Sequence, residues 1–278
     1  MLFGTHSPVD LTETGMSLTH SPGPLAGHPP TTVNYTIEGP KHKLLLHDFP
    51  RRVRAVFAEE TVLDTERGAL LHETALLPVL YVPLQDVRRD LLTPTDLSTR
   101  CPFKGDASYW SVRVGDRVAE NAVWGYPDPL ERAPWLAGRV AFYWDRMDAW
   151  YDEDEQIEGG LRDPYHRVDV RATRRKVRVL VNGTTIAETT RPRLMSETGL
   201  PNRYYIPRAD VREEMLEPSD TRTVCPYKGT AAYWSVRVGD TVLADAGWSY
   251  PEAAGDASEA TGHLSFAHDA LTVEVSPG

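Results

Sequence analysis

Chemistry in this chain starts with two cysteines. Cys101 opens the stretch CPFKGDASYWSV, Cys225 opens the near-copy CPYKGTAAYWSV, and the chain holds no third cysteine. Proline presets φ at the second position of a tight turn, and glycine accepts a left-handed exit. CPxKG therefore reads as a turn that draws Cys101 toward Lys104 and Cys225 toward Lys228. An ammonium beside a thiol favours the nucleophilic thiolate, which makes Cys101, Lys104, Cys225 and Lys228 the candidate catalytic residues. A plainer reading competes. Free cysteine often only fills space, and each lysine could pair with a carboxylate, Glu73 or Glu197, leaving CPxKG as a folding turn.

Aromatic residues gather around the turn. Tyr81, Tyr109, Trp124 and Tyr126 belong to the first copy, and Tyr205, Tyr233, Trp248 and Tyr250 to the second. Rings with polar tips suit small-molecule pockets, and they suit a β core equally. Together with Glu73 and Glu197 they form the candidate ligand-binding set.

Other chemistries find little support. Zinc takes about four ligands, usually from paired Cys/His spacings. Here each copy has one cysteine, and the histidines do not recur: His72 aligns with Ser196, and Trp144 with His268. No metal and no cofactor is expected. HKLLLH, from His42 to His47, is spaced wrongly for a helical metal pair and reads as a strand. The run Asp152–Glu155 lacks the loop glycine and ligand spacing of a calcium site and reads as a solvated face. No GxSxG, Walker A or GxGxxG pattern occurs.

The elements that must position these residues come as a duplication. Cys225 lies 124 positions after Cys101, and that offset aligns the halves without a gap. Glu73-Thr74 meets Glu197-Thr198, Tyr81 and Pro83 meet Tyr205 and Pro207, and Trp124, Tyr126 and Pro127 meet Trp248, Tyr250 and Pro251. From Cys101 to Val118, 14 of 18 positions equal their partners. A unit of roughly 100 residues is the size of a domain rather than of a solenoid repeat. The expected organisation is a flexible N-terminal extension (1–40), a first repeat domain (41–150), a linker (151–173) and a second repeat domain (174–276).

Local patterns predict mostly antiparallel β structure. VRVLVNGTTIAET is a hairpin turning at Asn182-Gly183, the favoured type I′ pair. The first copy has Ala58-Glu59 there, which predicts a different or looser turn. Further hairpins turn at Gly115-Asp116 and Gly239-Asp240. Alternation puts Trp110, Val112 and Val114 toward the core and Tyr109, Ser111 and Arg113 toward solvent or a pocket. YVPLQDVRRDLLTP and YIPRADVREEMLEP each read as a strand end and one short helix bracketed by prolines, with Val87 and Leu91 on one face.

The chain has 278 residues, 41% apolar and 25% charged, with a formal net charge of -10. That composition supports a real core, and the acidic surplus argues against a nucleic-acid partner. The first residues lack the basic and apolar regions of a signal peptide, and no apolar run is long enough for a membrane helix. A cytoplasmic location with reduced thiols is expected.

Taken as a series, Tyr-x-Pro, L-x-P-(S/T)-D, CPYKG-(T/D)-A-x-YWSV and DAGWSYP resemble the bacterial domain-of-unknown-function family 427, sometimes labelled nucleotidyltransferase-like. The resemblance covers roughly residues 50–150 and 174–276 and implies a tandem member. It implies two small, mainly β domains of β-tent (Mss4-like) topology. Relatives of that topology often hold zinc between two CxxC pairs. With a single cysteine per copy, this chain departs from that pattern, so the zinc does not carry over. The nucleotidyltransferase label finds no Gly-Ser and paired-carboxylate motif for magnesium. Two functional readings result. In one, the repeated motif lines a pocket for an unknown small molecule, at two sites or at one live site beside a structural copy. An enzyme of this kind would use Cys101 or Cys225 as nucleophile, Lys104 or Lys228 to tune it, and Tyr109 or Tyr233 as donor. In the other, the tandem is a non-catalytic interaction module.

Overall fold

A computed structural model describes Leu25, Asn34 and residues 38–278. The expected N-terminal extension therefore lies almost wholly outside the described residues. The described chain divides into two compact units, the first ending at Asp163 and the second starting at Pro164.

In the first unit the strands are β1 (Leu44–Asp48), β2 (Val53–Phe57), β3 (Glu60–Thr65), β4 (Ala69–Glu73), β5 (Val79–Pro83), β6 (Leu92–Cys101), β7 (Gly105–Val114), β8 (Arg117–Gly125), β9 (Arg139–Phe142), β10 (Ala149–Asp152) and β11 (Glu155–Ile157). A seven-stranded sheet runs β1-β4-β5-β9-β8-β7-β6, and a four-stranded sheet runs β11-β10-β2-β3. The second unit follows with β12 (Val168–Ala172), β13 (Lys176–Val181), β14 (Thr184–Thr189), β15 (Arg193–Glu197), β16 (Arg203–Pro207), β17 (Leu216–Cys225), β18 (Gly229–Val238), β19 (Thr241–Ser249), β20 (His263–Phe266) and β21 (Leu271–Ser276). Its sheets run β12-β15-β16-β20-β19-β18-β17 and β14-β13-β21. The ladder pairings are antiparallel. The chain is thus mainly antiparallel β, in two similar halves. No helix among the described residues is long and apolar enough to cross a membrane.

The stretch expected to join the repeats, 151–173, is itself structured. It contains β11 and, at its end, β12, the counterpart of β1. Its acidic run sits at the turn between β10 and β11 and meets the arginines beside and within β2. Arg51 Nε donates to Asp152 Oδ1 at 2.6 Å, the Arg52 amide to Glu153 Oε1 at 2.9 Å, and Arg54 Nη2 to Asp154 Oδ1 at 3.4 Å.

Each large sheet carries apolar residues on both faces. Leu70, Val82, Val112 and Val123 pack with Val53, Ala55 and Trp150 of the small sheet. The alternate residues Leu71, Tyr81 and Tyr109 pack with Tyr126, Ala133 and Leu136 in a second cluster. Strand alternation sends neighbouring side chains to opposite faces. Trp110, Val112 and Val114 do join the first core. Tyr109 and Ser111, however, are buried at 6% and 8% exposure, and only Arg113 of that set reaches solvent. The face expected to meet solvent or a pocket is instead covered at Tyr109 by the second apolar cluster, which Leu136 and the half-buried Leu44 and Leu46 join.

Two local expectations are corrected. The short helix is replaced by two single 3-10 turns, Leu84–Asp86 and Arg89–Leu91, with Val87 between them in extended conformation. Val87 bridges to Leu63, and the Arg88 amide donates to Val62 O at 2.8 Å, so the neighbouring strand captures the backbone that a helix would need. The same holds at Arg208–Asp210, Glu213–Met215 and Val211. Pro94 sits inside β6 at a register shift, on the outermost strand, where a missing amide is tolerated. The Ala58-Glu59 turn is not of another kind. Its φ values of 50 and 67° match the 49 and 77° of Asn182-Gly183. The Asp148 carboxylate holds this costlier pair by accepting from the Ala58 amide at 2.7 Å.

Candidate functional site

The CPxKG corner forms where β6 turns into β7, and its copy where β17 turns into β18. Cys101 pairs with Gly105 across the turn, and Cys225 with Gly229. Gly105 and Gly229 take φ of +112 and +93°. A Cβ there would stand 3.2 Å from Asp128 O and 2.9 Å from Glu252 O, so conformation and the approaching loop both require glycine. That loop is pinned to the turn. The Leu130 amide donates to Lys104 O at 2.9 Å, and the Ala254 amide to Lys228 O at 3.0 Å.

From this corner Lys104 reaches inward. Its Nζ donates to Glu73 Oε1, and both residues are buried, at 8% and 3% exposure. The opposite oxygen, Glu73 Oε2, lies 3.3 Å from His42 Nε2, and the His42 ring stacks on Phe103 at 3.8 Å. The second copy repeats the row. Lys228 Nζ donates to Glu197 Oε2, His166 Nε2 lies 3.0 Å from Glu197 Oε1, and the rings of His166 and Tyr227 are 4.3 Å apart. In both copies histidine to glutamate spans 31 residues, and glutamate to lysine 31 more. Burial pushes the Glu197 carboxyl up, but the His166 hydrogen bond and the Lys228 charge outweigh it and hold the group below the ordinary carboxylate range.

The aromatic set does assemble here. Cys101, Trp124 and the buried Tyr81, Tyr109 and Tyr126 share one cluster. Cys225, Tyr205, Tyr233, Trp248 and Tyr250 share its counterpart. Lys104 Nζ lies 5.6 Å from the centre of the Tyr126 ring, and Lys228 Nζ 5.8 Å from that of Tyr250. The Trp248 indole donates to the Tyr205 hydroxyl at 3.1 Å. The hydroxyls of Tyr109 and Tyr233 meet Thr99 and Thr223 at 2.8 and 2.9 Å. Burial pushes the phenols of Tyr81, Tyr126, Tyr205 and Tyr250 up, so at neutral pH they are protonated donors rather than bases.

Both cysteines are free thiols and partly buried. The lysines beside them are committed to glutamates, as in the plainer of the two sequence readings. The chemistry this geometry offers is recognition by a fixed ion row and phenolic donors. Among the described residues no three His, Cys, Asp or Glu side chains converge as a metal site needs. A surface cleft of about 410 Å³, lined by Arg52, Asp64, Thr65, Glu66, Arg67 and Asp86, takes no residue of the repeated motif.

Sequence reasoning missed the histidines. His42 does recur, as His166, contrary to the expectation that no histidine repeats. Carrying the offset of 124 back to position 42 finds it. The signal was hidden because position 42 sits at the extreme start of the first repeat, and position 166 within the expected linker.

A search of curated proteins returned no match. A family model described as a domain of unknown function (DUF427) matches residues 45–153 and again residues 169–276. Those two segments span most of the chain and follow the two sets of strands, so this protein belongs to the DUF427 family and carries its domain in tandem.

Proposed function

We propose that each repeat carries a small-molecule site at its CPxKG corner, in a protein of the cytoplasm. The His–Glu–Lys row is its polar end, and the tyrosines and tryptophan form its wall. One observation carries the reading: three ionisable groups are drawn together twice at identical spacing, with Glu73 and Lys104 buried and the other four half-buried. Well-packed apolar residues often stabilise a fold as well as a buried ion pair does. Keeping the row in both copies therefore supports a use beyond stability. With Lys104 and Lys228 neutralised by glutamates, the role is binding, and the thiols of Cys101 and Cys225 line the site.

A ligand-detected NMR screen of small polar aromatics tests this, followed by alkylation of the two thiols with iodoacetamide. A binder that slows alkylation at Cys101 or Cys225, and that loses affinity at least tenfold in Glu73→Gln or Glu197→Gln, supports the site. The second reading, a non-catalytic module with CPxKG as a folding turn, rests on the loops pinned to Lys104 O and Lys228 O. It predicts that the same variants lower the melting temperature while no binder protects either thiol.

A further inference from the structure

The two corners are closed to different degrees, and two positions account for it. In the first repeat Tyr143 lies against Trp124, with ring centres 4.5 Å apart. At the equivalent position the second repeat has Ala267. Tyr109 is buried, while its counterpart Tyr233 is half-buried. Beside the tryptophan the first repeat has Val79, whereas the second has Arg203. The Arg203 guanidinium lies 5.4 Å from the centre of the Trp248 ring, at the start of β16. Trp248 in turn pairs with Tyr233 across β18 and β19.

Resting on the binding reading above, we propose that the second repeat is the open site and that its ligand is a small planar aromatic carboxylate. Guanidinium presents a flat, permanently charged fork that matches a carboxylate edge to edge. Indole and phenol faces bind planar rings by offset stacking. Trp248, Tyr233 and Arg203 bring these features together at one opening. In the first repeat Tyr143 already occupies the equivalent aromatic contact, and Val79 offers no charge. That copy retains the ion row and serves as scaffold.

The test uses the full chain with benzoate and nicotinate as probes, and benzamide as the uncharged control, at millimolar concentration. Alkylation of each thiol is followed by peptide mass spectrometry. The expected result is at least threefold slower alkylation of Cys225 with either acid, no change at Cys101, and no effect of benzamide. Arg203→Val and Ala267→Tyr, which write first-repeat residues into the second, should each abolish that protection while an unchanged melt shows the unit folded. Protection by benzamide equal to that by the acids overturns the anionic ligand class. Protection of Cys101 in place of Cys225 overturns the assignment to the second repeat but leaves the binding reading standing. If neither acids nor amide protect either thiol, the aromatic carboxylate proposal fails. The binding reading is then judged separately, by whether any member of the wider screen protects a thiol.

Discussion

At the scale of single residues, the decisive contact is the lysine–glutamate pair. Breaking a buried pair strands one charge and costs roughly 3–5 kcal/mol, whereas removing both partners is far milder. Lys104→Met should therefore lower stability by about 3 kcal/mol, a fall in melting temperature on the order of 10 °C. Glu73→Leu combined with Lys104→Met should recover most of that loss. Urea titrations of the three variants give the comparison, and a double variant as unstable as the single one would contradict the pairing. Glu197 adds a pH dependence. Its folded carboxyl titrates below the reference value of 4.5, so the ionised form is bound more tightly in the folded state. The resulting stability is fully present above pH 4.5 and fades as pH falls through the lowered folded value. The stability difference between the natural chain and Glu197→Gln should shrink as pH drops from 7 toward 3, measured by urea unfolding at each pH.

Elements show where local pattern and neighbours compete. Ala58 and Glu59 hold the left-handed turn that Asn182 and Gly183 adopt more cheaply. Ala58→Asn with Glu59→Gly should stabilise the first unit by about 1 kcal/mol, read as a higher urea midpoint with unchanged slope. The tyrosine strand teaches the reverse lesson. Alternation placed Tyr109 and Ser111 correctly on one face but could not say that the face is roofed. The Ser111 hydroxyl accepts from the Asn121 backbone amide at 3.0 Å, and Ser235 from that of Asp245 at 3.3 Å, so both serines brace a bulge, and Ser111 is buried there. The predicted helices failed for a related reason. Three-residue 3-10 turns cost little, and the bridges of Val87 and Val211 to adjacent strands outweigh a single helical turn.

For the whole molecule, duplication is the organising fact. Each unit has its own two apolar clusters, so each is expected to fold cooperatively by itself. A fragment of residues 38–163 should give a single sigmoidal urea transition with dispersed amide NMR signals, and a broad non-cooperative melt would contradict it. The offset of 124 revealed the tandem, strand alternation the mainly β class and the repeated motifs the family, because a copied sequence must build a copied chain path. What it left open was set by contacts remote in sequence. The partner of Lys104 lies 31 residues away, and the histidine that completes the row a further 31. That the Tyr109 face of β7 is covered depends on a cluster assembled from Leu71, Tyr81, Tyr126 and Leu136. Likewise, the contact of Tyr143 with Trp124, where the second repeat has Ala267, appears only when β9 lies beside β8, and β20 beside β19. Residue types and spacing determine which groups are available and how often. Burial and pairing are properties of space, and here only the folded sheets decided them.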